Sequence, residues 1–312
     1  MNVALMGSVS SSWFALDALL RGGVEVTGVL GVDASQAARI SDYRDLRDRA
    51  EQAGVPYHAF VKVSEPGVLQ FLQEHPADLL WVIGISQLVG APLLACARHG
   101  AVGFHPTKLP EGRGRAPVAW TILRGADAAV NLFYLCDEAD AGDLIVQRPV
   151  PVLPDDYSED LIHRTNLVLA DTILELAPRI IAGDLPRSPQ DHSRATYYPK
   201  RTPADGLIDW RSSTAEIYRL IRAAGRPYPG AFTYHKGEKV TIWRGRPVDE
   251  TQRPASARPG SVLAVEADRF LVGTSDGALC VTEFEIAGAK PRIDRFSVGD
   301  ILEAPVDDQK AK

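Results

Sequence analysis

The stretch Gly103-Phe104-His105-Pro106-Thr107-Lys108-Leu109-Pro110-Glu111-Gly112-Arg113-Gly114-Arg115-Ala116-Pro117 sets a histidine at the end of an apolar segment and a rigid, charged loop after it. Before it, Ala77-Asp-Leu-Leu-Trp-Val82 and Gly100-Ala-Val-Gly-Phe104 are short apolar runs that suit buried strands, with helical spacing from Pro92 to Arg98 between them. A strand, helix, strand unit predicts a parallel α/β sheet. Ligands in open parallel sheets collect beyond the carboxyl ends of the strands, so His105, one residue past its strand, is expected at the rim. An imidazole titrates near neutral pH and suits general acid or base work. A histidine that only satisfies a backbone carbonyl is the structural alternative. Pro106, Pro110 and Pro117 stiffen the loop, and Gly112 and Gly114 allow it to turn.

Toward the N-terminus, Val3 to Met6 reads as a strand, Gly7 to Ser12 as a small-residue loop, Trp13 to Leu20 as a helix and Val24 to Val32 as a second strand. This is a Rossmann-like beginning without the Gly-x-Gly-x-x-Gly fingerprint, so a nicotinamide cofactor is not implied, and the loop reads as a tight turn before a phosphate site. Asp42 to Ala53 and Val68 to Glu74 read as outer helices, and Val118 to Arg124 as another. Val130 to Leu135 is a strand that delivers the acidic loop Cys136-Asp137-Glu138-Ala139-Asp140. Ile145 to Val152 is a further strand, and a long helix begins at Ser158 and closes at Gly183. Pro186 to Asp205 is rich in proline and polar residues and reads as a linker. A helix at Thr214 to Ala224 precedes five short alternating runs, Ala231 to Tyr234, Lys239 to Trp243, Ser261 to Val265, Phe270 to Val272 and Ala278 to Ile286, whose spacing suggests a small barrel.

The 312 residues are enough for two domains, and 45% apolar with 24% charged residues is an ordinary globular balance. A net charge of −6 without a basic block argues against a chain built to grip a nucleic acid backbone. Cys96, Cys136 and Cys280 lack metal-ligand spacing, so plain thiols and no metal are expected. No charged leader precedes an apolar core, and no apolar run approaches the ~20 residues of a membrane span, which predicts a cytoplasmic protein away from membranes.

The segment from His105 to Pro117 resembles the signature of formyltransferases that use 10-formyltetrahydrofolate, in which Asn-x-His precedes a Ser-Leu-Leu-Pro-like stretch and Arg-Gly-x-Ala-Pro. Ala139-Asp140-Ala141-Gly142-Asp143 is similar to that family's second hallmark, an aspartate in an Ala-Asp-Ala-Gly loop. Gly206-Leu-Ile-Asp-Trp210, Arg226-Pro-Tyr-Pro-Gly-Ala-Phe232 and Gly260-Ser-Val-Leu263 through Thr282-Glu-Phe-Glu-Ile286 resemble the small β-domain of methionyl-tRNA formyltransferase and of the formyltransferase half of the 4-amino-arabinose lipid A enzyme. The resemblance covers nearly the whole chain. It implies a catalytic Rossmann-like domain over residues 1–185, a linker over 186–205 and an OB-like barrel over 206–305. It also implies 10-formyltetrahydrofolate as co-substrate, His105 for oxyanion stabilisation or proton transfer, and Asp140 as general base or orienting group. Ser86, Gln87, Leu88 and Val89, with the loop from Asp137 to Asp140, are the implied walls of a pteridine slot.

The chain departs from the family pattern at Gly103, which stands where the family has asparagine and offers no carboxamide to the formyl oxygen. Losing one oxyanion donor costs about 3 kcal/mol in a well-studied hydrolase. Thr107, Lys108 and Ser86 are the candidate replacements; Thr107 lies two residues beyond His105 on the same side of an extended segment. Gly31 to Tyr43, where the tRNA enzymes carry a basic loop, holds one arginine against two aspartates and argues against a tRNA acceptor. A nucleotide-linked amino sugar is the expected acceptor. A siderophore-type hydroxyornithine is the runner-up, and a folate-binding protein that has lost catalysis is the alternative of another class.

Overall fold

All five residues of Val3-Ala-Leu-Met-Gly7 are buried, as a strand covered on both faces requires. The computed structural model describes residues 1–87, 89–248, 258–289 and 292–303. These fall into two units: Met1–Thr121, Asp127–Val152 and Asp160–Pro199 form the first, and Ile122–Ala126, Leu153–Glu159 and the described residues from Lys200 onward form the second.

In chain order the elements up to Pro199 are β1 (Val3–Gly7), α1 (Ser10–Arg21), β2 (Val26–Val32), α2 (Arg47–Gln52), β3 (Tyr57–Phe60), α3 (Pro66–Glu74), β4 (Leu79–Ile83), α4 (Ala91–Leu94), β5 (Ala101–Thr107), β6 (Arg113–Gly114), α5 (Pro117–Arg124), β7 (Ala128–Tyr134), β8 (Leu144–Val150), α6 (Ser158–Ala182) and β9 (Tyr197–Tyr198). A seven-stranded sheet runs in the order β3-β2-β1-β4-β5-β7-β8. It is parallel from β3 to β5, and β7 and β8 join it antiparallel. The mostly parallel α/β sheet expected from the sequence is therefore present. Leu30, Phe60, Leu72 and Leu80 pack together on one side of it.

Strand β5 is longer than the apolar run suggested. It continues to Thr107, so His105 lies inside the strand and not one residue past it. Parallel pairing with β4 stops at Val82 opposite Gly103, while β7 pairs with β5 as far as Thr107 opposite Ala128. The rim of the parallel ladder is still crossed before His105, because the antiparallel neighbour carries the strand onward.

The helix expected over Asp42 to Ala53 shortens to Arg47–Gln52. Asp42 takes a left-handed φ of 63°, and Arg44 N–H bonds to the Ser8 carbonyl, so the chain turns where a helix would have started. The stretch 186–205, expected as a linker, is divided. Up to Pro199 it lies in the first unit, where β9 pairs with β6, and from Lys200 it belongs to the second. Proline content reports the absence of helix or sheet periodicity, and a segment can pack without either.

In the second unit α7 (Thr214–Ala224) is followed by β10 (Ala231–His235), β11 (Glu238–Pro247), β12 (Val262–Val265), β13 (Phe270–Gly273) and β14 (Ala278–Ile286). Ser213 caps α7, accepting from Glu216 N–H while the Glu216 carboxylate accepts from Ser213 N–H. The five strands form an antiparallel sheet in the order β10-β11-β14-β13-β12. Its two edges are both bridged by the segment Ile301 to Glu303, with Glu303 opposite Tyr234 and Ile301 opposite Ser261. Val240, Ile242, Phe270, Val281 and Phe284 fill the interior. Among the described residues no helix is long and apolar enough to cross a membrane.

The turn between β1 and α1 is tightly filled. Ser12 Oγ accepts from the N–H groups of Ser8 (3.0 Å) and Val9 (3.2 Å) and donates to the Ile83 carbonyl (2.6 Å). A Cβ on Gly7 would lie 2.3 Å from that of Ser12, so only glycine fits there. The Asp42 carboxylate accepts from the N–H (3.2 Å) and hydroxyl of Ser10, and Asn166 donates to the same hydroxyl (2.7 Å). The helix start is thus occupied by the protein's own groups, in keeping with a tight turn and not a phosphate site.

Burial, the largest influence, pushes the half-buried Asp42 carboxyl above its ordinary range, against the opposing pull of the Ser10 hydrogen bonds and Arg44. An acid raised in the folded state contributes stability that is present below its unfolded pKa of about 3.9 and is lost as pH rises through the folded value. Asp42→Asn keeps an accepting oxygen and tolerates the left-handed backbone. Urea unfolding is expected to show this variant gaining on the wild type as pH rises above about 4; a gap that stays constant or narrows would contradict the assignment.

Candidate active site

His105 is 4% exposed and both of its ring nitrogens have a defined neighbour. Nε2 lies 2.8 Å from the Gly112 carbonyl oxygen. A carbonyl only accepts, so Nε2 carries the hydrogen and donates it. Nδ1 then faces Asp140 Oδ2 at 3.4 Å, a contact longer than an ordinary hydrogen bond. The signature loop therefore folds back over the strand that precedes it, and its own Gly112 orients the ring.

The backbone under the ring is held by two carboxamides. Asn131 is fully buried on β7, and its Nδ2 donates to the carbonyls of His105 (2.7 Å) and Thr107. These residues flank the place where β5 slips in register against β7. Gln147 on β8 donates to Asn131 Oδ1 (2.7 Å) and to the Leu109 carbonyl (2.8 Å), which fixes the orientation of the Asn131 amide.

Asp140 sits in a left-handed conformation, φ 55°, that costs a non-glycine residue free energy. Its Oδ2 accepts from Gly114 N–H at 2.8 Å, so the carboxylate bridges the signature loop and His105. No hydrogen bond reaches Oδ1 among the described residues. One oxygen of Asp140 thus anchors the carboxylate to the signature loop.

Gly103 has lost more than a side chain. A Cβ built there would lie 2.6 Å from Leu135 Cδ2 and 2.9 Å from Phe133 Cζ. The space over the strand is already filled from β7 and the residue after it. Two of the three expected replacement donors have partners elsewhere, and for Thr107 the partner takes its one hydrogen. The Thr107 hydroxyl has one hydrogen, and its acceptors are the carbonyls of Glu111 (2.9 Å) and Gly112 (3.3 Å). Lys108 is exposed and pairs with Asp127 at 2.7 Å. Thr107 does lie on the His105 side, since both residues reach Gly112.

Of the expected slot residues, Ser86 is exposed and Val89 is partly buried against the core. Gln87 uses both ends of its amide to tie the loop after β3, donating to the Val61 carbonyl (3.0 Å) and accepting from Val63 N–H (3.0 Å). Its side chain therefore ties this segment to the loop after β3. Leu88 lies outside the described residues. Asp137 is exposed on the loop that carries Asp140. Among the described residues no group of three or more His, Cys, Asp or Glu side chains could hold a metal ion. Sequence reading missed Asn131, Gln147 and Gln190. Each is an isolated polar residue whose importance comes from partners between 16 and 77 positions away.

The description "formyl transferase" matches residues 1–175, more than half of the chain, and "formyl transferase, C-terminal domain" matches residues 200–294. The chain belongs to the formyl transferase family. Solved structures share the fold of this formyl transferase. HypX from Aquifex aeolicus, in complex with tetrahydrofolic acid, aligns with a TM-score of 0.69 at 18% identity over 98% of this chain and 51% of that one. A HypX variant aligns over 91% of this chain and 44% of its own, so the chain spans about half the length of these relatives. WlaRD, a sugar 3N-formyl transferase solved with dTDP and 5-N-formyl-THF, gives 0.64 at 14% identity over 90% and 97% of the two chains. The N-formyltransferase of Helicobacter canadensis, in complex with folinic acid and dTDP-3-aminofucose, gives 0.64 at 14% identity over 91% and 100%.

Gly103→Ala is expected to lower the unfolding free energy by about 1–3 kcal/mol through overpacking against Phe133 and Leu135. The cost should shrink in a Leu135→Ala background, with a coupling of about 1 kcal/mol in a double-mutant cycle read by urea denaturation. Equal losses in the two backgrounds would show that Leu135 does not fill the space.

Proposed function

We propose that this chain transfers the formyl group of 10-formyltetrahydrofolate to the primary amine of a small acceptor, a nucleotide-linked amino sugar. The observation that carries the reading is the buried His105 with Nδ1 3.4 Å from Asp140 Oδ2, beyond the end of the parallel ladder, with the second carboxylate oxygen open. Membership of the formyl transferase family supports the reaction class, and the folate-type ligands of the structures sharing the fold support the donor. The dTDP-3-aminofucose held by the Helicobacter canadensis enzyme supports an amino sugar acceptor. A net charge of −6 weighs against tRNA. In this reading the pteridine lies between the segment after β4, with Ser86 and Val89, and the loop of Asp137 to Asp140.

The acceptor nitrogen attacks the formyl carbon, forming the new C–N bond as the carbonyl oxygen takes up negative charge. With no carboxamide at position 103 and the Thr107 hydroxyl committed to loop carbonyls, this reading gives the oxyanion to the Nδ1 side of the His105 ring, which donates when both ring nitrogens carry hydrogen, with the exposed Ser86 hydroxyl as the other donor on offer. Oδ1 of Asp140 takes the proton that the attacking amine must lose. Collapse of the intermediate breaks the bond to the folate nitrogen, which leaves with the proton that Asp140 took from the amine.

Gly103, whose side-chain space is closed by Phe133 and Leu135, favours a second reading, a folate-binding protein without transfer. Transfer assays with 10-formyltetrahydrofolate and a panel of nucleotide-linked amino sugars, hydroxyornithine and charged tRNA separate the two. Under the first reading His105→Ala and Asp140→Asn lose about 10²–10⁴-fold in turnover while folate affinity, measured by calorimetry, stays within a few-fold. Wild-type turnover in His105→Ala would overturn the residue assignment. Folate binding by the wild type with no transfer to any acceptor would establish the second reading.

A further inference from the structure

Arg113 is fully buried, although a guanidinium is among the costliest groups to take out of water. Its Nη1 donates to Glu138 Oε1 (3.1 Å) and the Tyr197 hydroxyl (3.1 Å), and its Nη2 to Gln190 Oε1 (2.9 Å) and His192 Nδ1 (3.3 Å). Nothing in the reaction above requires that charge. The guanidinium does fix the orientation of Gln190, which is itself buried. Arginine only donates, so the oxygen of the Gln190 amide must face it and the nitrogen must face away. That nitrogen donates to the carbonyls of Asp140 (2.9 Å) and Gly142 (2.7 Å).

The contacts close a ring. Arg113 holds Gln190, Gln190 holds the backbone of Asp140, and the Asp140 carboxylate accepts from the N–H of Gly114, the residue after Arg113. On its other side the acidic loop is pressed against β7, since a Cβ on Gly142 would lie 1.8 Å from the Tyr134 carbonyl oxygen. A left-handed non-glycine residue persists where its surroundings over-determine it, and this ring supplies that for Asp140.

We propose that Arg113 and Gln190 are positioning residues that hold the Asp140 carboxylate at His105. Neither touches the reacting atoms, and both act through the loop backbone. The inference rests on the formyl-transfer reading for its kinetic test and is independent of it for its spectroscopic one.

Gln190→Glu keeps an acceptor for Arg113 and loses both N–H donors; Gln190→Met loses all three bonds; Arg113→Lys keeps the charge and loses the fork. In variants that circular dichroism shows to be folded at the assay temperature, kcat is expected to fall about 10–100-fold, with KM for donor and acceptor within about threefold. Wild-type kcat in folded Gln190→Met, or in folded Arg113→Lys if the first does not fold, overturns the proposal. An inactive wild type would sink the formyl-transfer reading and leave the second measurement standing. In a long-range ¹H–¹⁵N spectrum, with His105 identified by its loss in His105→Ala, these variants should move the Nδ1 resonance and leave Nε2, held by Gly112, near its wild-type place. An unchanged Nδ1 resonance overturns the positioning role whatever the reaction.

Discussion

Strand β5 outruns its parallel neighbour. Pairing with β4 ends at Gly103, yet β7 supplies an antiparallel ladder on the other edge as far as Thr107. The extra residues carry His105 past the end of the parallel ladder while the strand still holds its backbone. Strand ends in open sheets are places for ligands because side chains there leave the packed layer. Here the side chain leaves the layer without leaving regular structure, which gives a site residue the rigidity of a strand. The register slip between His105 and Thr107 would leave carbonyls unsatisfied, and Asn131, locked by Gln147, takes them up.

From that strand the chain folds back on itself. Gly112 returns over His105 to accept from Nε2, and Gly114 N–H meets the carboxylate of Asp140. The stretch expected to be a linker closes the arrangement: β9 pairs with β6, and Gln190 spans from Arg113 to the Asp140 loop. Burying a guanidinium and holding an aspartate at positive φ are both unfavourable alone. Each is tolerated because the other half of the ring is in place, so the site depends on partners far away in the chain.

Gly103 shows how a missing functional group can be part of a consistent design. The space that a side chain would need is held by Phe133 and Leu135, so the apolar neighbours and the glycine belong together. In the proposed transfer the polarising of a formyl oxygen falls to the imidazole, whose other nitrogen is committed to the Gly112 carbonyl.

The alternation of apolar runs and helical spacing was enough to identify a mostly parallel sheet followed by a second unit of short strands, expected as a small barrel and seen as a five-stranded antiparallel sheet. Burial of a strand or helix face is written locally, at periods of about 2 and 3.6 residues. His105 stood out at the end of such a run, whereas Asp140 was singled out by the resemblance of its loop to the formyltransferase family. The sequence could not say that β5 runs on to Thr107, that Asp42 turns left-handed and shortens a helix, or that residues 186–199 pack beside the site. It could not say that the Thr107 hydroxyl bonds to loop carbonyls, that Lys108 pairs with Asp127, or that Leu135 closes the space over Gly103. Those outcomes depend on which hydrogen-bond acceptor or side chain arrives from a remote part of the chain. A buried polar group must be paired somewhere, and only the tertiary structure decides with whom.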